Sequence, residues 1–221
     1  SKKTTTVSDS SVASVVTSDE AMLSNQALKV NKLAKSAYLT GGEVKTDSGL
    51  KATSATKLTD LGAKKDETIE IKVGDGSTRT ITITEDMTLN SLAEQLSGEG
   101  VTARFDSSTQ RLFIGATDTG AKYDFTITGS ADSLKALGLD YAADGKGSAK
   151  KIDGADSEIE LNGATFKSSS NTFNINGLSI TVNKETTGEG VMLNTAKDSS
   201  AMYDAVKKLI TEYTSLINEM D

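Results

Sequence analysis

The sequence predicts a mainly β, α+β chain that closes on a helix of coiled-coil type. Three observations carry this. Short runs of alternating apolar residues turn back at Asp75-Gly76, Asn162-Gly163 and Asn176-Gly177. Between residues 61 and 140 two short stretches of helical period interrupt the strands. The last 24 residues switch to a heptad. At 221 residues the chain is long enough for one large domain or two small ones.

In chain order, residues 1 to 25 are dominated by Ser, Thr and Asp, with an apolar alternation around Val12 to Val16. Leu28 and Val30 share one face of a strand, and the adjacent pair Leu33-Ala34 breaks step, as at a bulge or a strand end. Residues 40 to 57 are Gly, Ser, Thr and Lys without periodicity, which reads as a loop or weak strand and as a candidate crossing between domains. Then Ile69, Ile71 and Val73 alternate, Gly74-Asp75-Gly76-Ser77 turns the chain, and Thr80 to Ile83 alternates again. Leu89, Leu92, Ala93 and Leu96 fall on one helical face, with Asp86 or Thr88 as N-cap and Gly98 beyond the last turn. Strands are expected at 101–106, 111–116 and 123–128. Ser130 opens a second short helix carrying Leu134 and Leu137, with Gly138 and Leu139 placed for a Schellman end.

Gly, Lys, Ala and Asp fill 142 to 151, a second candidate crossing. Two hairpins of one grammar follow, Ile159 to Phe166 about Asn162-Gly163 and Phe173 to Val182 about Asn176-Gly177. Asn-Gly suits a type I′ turn, which needs two residues at positive φ and matches the right-handed twist of its strands. Finally Met202, Val206, Leu209, Tyr213, Leu216 and Met220 are spaced 4, 3, 4, 3, 4, with Ile210 and Ile217 widening the stripe and Asp198 or Ser199 as its cap. Such a stripe cannot satisfy itself, so it packs on helices elsewhere in a longer chain or in other subunits. Ser1 is not an initiator Met and Asp221 falls within the helical period, so more chain is expected on both sides.

The composition narrows the chemistry. The chain has no Pro, Cys, His or Trp, where average usage near ~5% would supply about eleven Pro. Without Cys or His, disulfides, the common zinc, copper, iron–sulfur and haem ligands, thiol nucleophiles and Ser-His-Asp triads are excluded together. Ser and Thr number 26 and 29, a quarter of the chain, so thin cores and much solvated surface are expected. The net charge of −7, with only three arginines, offers no basic face for nucleic acid. No apolar run approaches the ~18 residues of a membrane span.

None of the candidate site motifs is complete. Gly74-Asp75-Gly76 and Gly145-Lys146-Gly147 lack the rest of a phosphate-binding fingerprint. Ser54-Ala55-Thr56-Lys57 and Ser148-Ala149-Lys150-Lys151 match Ser-x-x-Lys but open no expected helix and have no companion motifs. Asp153, Asp156, Glu158 and Glu160 form an acidic cluster, yet the two glutamates alternate with Ile159 and Leu161 and so lie on the solvent face of a strand. No catalytic residue, metal site or cofactor site is assigned.

Several segments, in the right order, resemble the flagellar hook-associated protein 2, or filament cap, family. Val30-Asn31-Lys32-Leu33-Ala34 is similar to a V-x-Q-L-A strand near the family's start, with Lys32 for the usual Gln. Leu58-Thr59-Asp60-Leu61-Gly62, the hairpin from Thr68, the helix from Thr88-Leu89 and the strands over 101 to 116 resemble its inserted head domain. Ile159 to Gly163, Ser168-Ser169-Ser170-Asn171-Thr172, Ile175 to Val182 and Thr186-Thr187-Gly188 carry the strongest likeness. Val206 to Ile217 is similar to the first long helix after the heads, with Thr214 where Asn is usual.

The resemblance implies two β-rich head domains, a middle one from 1–57 and 150–197, an inserted outer one over 58–149, and the start of a leg helix at 198–221. It implies a homo-oligomeric ring at the filament tip, outside the cell, working with flagellin and the hook–filament junction proteins. In some members the head also meets host mucin or glycans. Export by the flagellar type III route needs no cleavable signal, and a chain threaded unfolded gains from lacking slow X-Pro isomerisation. The stripe Met202, Val206, Leu209, Tyr213, Leu216 and Met220 is then the seam toward the leg. The alternatives are an extracellular adhesin or surface module, and the head of a flagellin or hook-junction protein.

Overall fold

The structure, a computed structural model, describes residues 2–220, without the side chains of 199–202. It divides into two compact units, Ser1–Leu33 with Glu158–Lys167 and Asn171–Asp221, and Ala34–Ser157 with Ser168–Ser170. The first unit contributes β1 (Lys3–Val7), β2 (Ala13–Thr17) and β3 (Ser24–Lys32) before the chain leaves it. The second carries β4 (Tyr38–Thr40), β5 (Thr68–Val73), β6 (Arg79–Thr82), α1 (Leu89–Leu96), β7 (Val101–Asp106), β8 (Arg111–Ala116), β9 (Phe125–Gly129), α2 (Ala131–Ala136) and β10 (Lys150–Ile152). The first resumes with β11 (Ser157–Leu161), β12 (Ala164–Ser168), β13 (Thr172–Ile175), β14 (Leu178–Val182), β15 (Val191–Lys197) and α3 (Ser199–Met220).

The boundaries expected at 57/58 and 149/150 fall inside the second unit. There β4 pairs with both β8 and β10, and the loop after it is fastened by its backbone. Val44 N–H donates to the Gln110 carbonyl at 2.9 Å and Ala52 N–H to Gln110 Oε1 at 2.8 Å, and both residues are buried. Gly, Ser and Thr composition resembles a linker because such residues are held by main-chain bonds, which leave no periodic mark in sequence.

In the first unit a five-stranded antiparallel sheet, β1-β15-β3-β11-β12, and a three-stranded one, β13-β14-β2, share one buried cluster. Leu28, Val30, Ile159 and Leu193 come from the larger sheet, Phe173, Leu178, Ile180 and Val182 from the smaller. This is a two-layer arrangement in which period-2 patterning buries one face of each strand. β3 stops at Lys32, and its pairing with β11 slips between Glu158 and Ile159. Hydroxyls stitch strands together here: Thr5 Oγ1 lies 2.8 Å from both Thr17 Oγ1 and the buried Thr195 Oγ1.

Both Asn-Gly pairs adopt the expected turn. Asn162 and Gly163 have φ of 48° and 84°, Asn176 and Gly177 of 47° and 83°. Asn162 also accepts the Ala27 N–H on Oδ1 at 2.9 Å, tying its hairpin tip to β3. Asn162→Ala removes that bond and places a less tolerant residue at positive φ, so a loss of about 1–2 kcal/mol is expected. Urea denaturation reads it, and an unchanged midpoint would refute this role.

The second unit packs β10-β4-β8-β7 and β6-β5-β9 with both short helices around its own core, which includes Leu39, Ile69, Ile71, Leu92, Leu112 and Phe125. Its Asp75-Gly76 turn differs from the Asn-Gly pair. β5 and β6 are in register from Thr68–Thr82 to Ile71–Arg79, and the left-handed φ of 53° sits at Gly74. The reason is that β5 runs on to Val73 against β9, with Gly74 N–H donating to the Asp124 carbonyl at 2.7 Å. Thr88 is the N-cap of α1, exchanging side-chain bonds with Ser91 in a capping box. At the other end Arg79 donates to the carbonyls of Gln95 and Leu96 at 2.7 and 3.0 Å, closing orphan acceptors. α2 ends in the Schellman motif, with Leu139 N–H on the Leu134 carbonyl at 2.8 Å and Gly138 at φ 67°.

Candidate assembly surface

The 22-residue α3 presents the heptad stripe along a length of roughly 33 Å at ~1.5 Å per residue. Val206, Leu209, Ile210, Tyr213, Leu216, Ile217 and Met220 are 42–79% exposed. Met202, the first position of the stripe, lies outside the described side chains. Each of these side chains would gain roughly 1.5–3 kcal/mol on full burial. Contiguous apolar patches of this kind mark interaction sites. The polar side of α3 adds little: the Lys208–Glu212 pair is exposed at both ends and 3.9 Å apart.

The remaining sequence candidates turn to structural work. Glu158 and Glu160 both accept from Asn31 Nδ2, at 3.1 and 3.4 Å, in the first unit. Asp153 and Asp156 belong to the second, where Asp156 accepts the Ala121 N–H at 2.9 Å. Among the described residues no three Asp or Glu side chains gather as a metal site. Lys150 Nζ donates to the carbonyls of Gly145 and Gly147, so the Gly-Lys-Gly loop turns acceptors inward, the opposite polarity to a phosphate cradle. Ser148 Oγ donates to Asp140. Asp75, Gly76, Asn162, Gly163, Asn176 and Gly177 act as turn residues.

Sequence reasoning missed the surroundings of Lys151. Its side chain is only 4% exposed, with Nζ 2.8 Å from Asp124, 2.7 Å from Asp153, and above the rings of Phe125 and Tyr141 at 5.1 and 5.7 Å. Nothing local marks it, because its partners lie 10 to 27 residues away apart from Asp153. In sequence Lys151 reads as one more surface lysine.

Residues 154–221, spanning both Asn-Gly hairpins and α3, match the family model described as flagellar hook-associated protein 2 C-terminus. The A-type flagellar hook-associated protein 2 of Pseudomonas aeruginosa is 25% identical over 236 residues, covering 98% of this chain. The chain is similar to flagellar hook-associated protein 2 over nearly its whole length. It spans about half the length, 48%, of the curated hook-associated protein 2 relatives it matches. Among solved structures, FliD (HAP2) from Pseudomonas aeruginosa is 25% identical with a TM-score of 0.64, covering 93% of both chains. The D2-D3 domains of the flagellar cap protein FliD from Escherichia coli share the fold, at 22% identity and a TM-score of 0.68, over 89% of this chain and all of theirs. In this chain, as in those D2-D3 domains, the fold is mostly β with few helices.

Proposed function

We propose that this chain is the head of a filament cap subunit, with a middle unit, an inserted outer unit and the first part of a leg helix. Its task is structural and non-catalytic. The exposed stripe of α3 is the single observation that carries this reading. A helix that leaves eight large apolar side chains uncovered is built to be covered, by the rest of the leg or by neighbouring subunits. The likeness to flagellar hook-associated protein 2 supports the setting of this reading, an exported subunit that assembles with its own kind at the flagellum tip and helps flagellin fold and join. The absence of Pro and Cys suits a chain that refolds quickly outside the cell. Contact with host mucin or epithelium through the head is a further part of that reading.

Light scattering on this chain and on a chain continued through the leg tests it, with a monomer expected for the first and a ring for the second. In the longer chain, Val206→Asp puts a charge into the seam and is expected to lower helicity and abolish the ring, while Glu212→Gln changes neither. A ring that tolerates Val206→Asp would refute the seam.

A further inference from the structure

The four-stranded sheet of the second unit buries one face in the core and leaves the other open. Across the open face, Tyr38 stands opposite Gly115, and Phe113 stands opposite Arg104 in the next row. Gly115 has no side chain to lift the tyrosine; a Cβ there would come within 3.1 Å of Tyr38 Cδ2, so the ring lies low over the glycine. The Tyr38 and Phe113 rings are 6.4 Å apart and inclined at 53°, forming the walls of a notch of about 280 Å³ that Thr102, Arg104 and Thr117 flank.

The state of the arginines is the second observation. Arg79 is spent on the end of α1, and Arg111 donates to the Gly41 carbonyl at 2.7 Å. Arg104 is exposed and has no hydrogen bond or ion pair among the described residues. The acid two positions along the same strand is no competitor: Asp106 accepts from Ser108 and Thr109 within its own turn, at 2.8 and 3.1 Å. An aromatic ring resting on a cross-strand glycine is a known way of stabilising a sheet, and that accounts for Tyr38. It leaves the free guanidinium beside two inclined rings unexplained.

We propose that this notch binds one pyranose ring bearing a carboxylate or sulfate. The volume admits a single ring and is too small for a helix or a strand. The C–H face of a sugar stacks on the aromatic walls, the threonine hydroxyls meet ring hydroxyls, and the planar, weakly hydrated guanidinium pairs with the anionic group. Charge complementarity selects an anion here although the chain carries −7 overall, because at physiological salt only charges within ~8 Å act strongly. The assignment gives the glycan-contact reading a ligand class and residues. Its test is independent of assembly and of cell adhesion.

The experiment is an amide-resolved NMR titration of this chain with methyl β-D-glucuronide, N-acetylneuraminic acid, galactose 6-sulfate, neutral methyl β-D-glucoside and N-acetyl-glutamate amide. Shifts confined to Thr102, Arg104, Phe113, Gly115 and Thr117 are expected with at least one anionic sugar, at an affinity fivefold or more above the neutral glucoside. Arg104→Gln is expected to erase that preference with the rest of the spectrum unchanged, and Tyr38→Leu to weaken both sugar types. Absence of localised shifts with every anionic sugar, equal binding by Arg104→Gln, or equal binding of the glutamate derivative would each overturn the site. Any of these failures would leave the glycan-contact reading intact, because the titration reads this notch alone.

Discussion

Gly138→Ala is expected to destabilise the second unit by about 4 kcal/mol, a large share of the ~5–15 kcal/mol that holds a domain. Two costs add. Gly138 sits at φ 67°, where a Cβ costs about 1–2 kcal/mol. That Cβ would also lie 2.3 Å from the Gly42 carbonyl oxygen and 2.9 Å from Gly42 N. Gly42 N–H donates to the Gly138 carbonyl at 2.8 Å, so relieving the clash means parting two backbones and breaking their bond. Gly145→Ala is the control: its φ is 75°, and no atom lies within 4 Å of the new Cβ, so only the conformational cost of about 1 kcal/mol applies. Thermal melting followed by circular dichroism compares them. Equal Tm values would show that the Gly42–Gly138 approach carries no weight.

Lys151→Ala is expected to cost about 3 kcal/mol, at the low end for breaking a buried pair, because Asp124 and Asp153 are 29% and 77% exposed. The loss arises chiefly from Asp124, left with the Gly154 N–H at 3.1 Å. Lys151→Met keeps the aliphatic stem against Phe125 and Tyr141 and should cost less, and adding Asp124→Asn should recover part of the remainder. Burial works against the charged ammonium of Lys151, but its bonds to Asp124 and Asp153 outweigh it and raise the pKa above the ordinary 10.5. A raised folded pKa contributes stability that is complete below pH 10.5 and is lost as pH climbs through the folded value. Urea midpoints against pH should therefore fall more steeply above pH 10.5 in the parent than in Lys151→Met; parallel curves would refute the linkage.

Much of the fold was legible because its signals are local. An Asn-Gly pair between alternating apolar residues carries its turn geometry within four residues, and both pairs adopt it. The cap at Thr88 and the stop at Gly138 and Leu139 likewise depend on neighbours within a helical turn. The unit boundaries were misplaced where binding is non-local. The loop from Gly41 is held by Leu112, Gly138 and Gln110, sixty-six to ninety-six residues from the groups they bind, and no pattern within the loop records those partners.

By itself, then, the sequence determined a β-rich chain without thiol or imidazole chemistry, two type I′ hairpins and an apolar heptad that needs a partner, since each follows from residue type and short spacing. Only the tertiary structure decided which cations are committed. Lys151 is enclosed by Asp124 and Asp153, Arg79 and Arg111 are tied to carbonyls, and Arg104 remains open beside Tyr38 and Phe113. The physical reason is that a charge's environment is set by what strand pairing brings across the sheet, and registers such as Tyr38–Gly115 and Phe113–Arg104 join positions that are far apart or unremarkable along the chain.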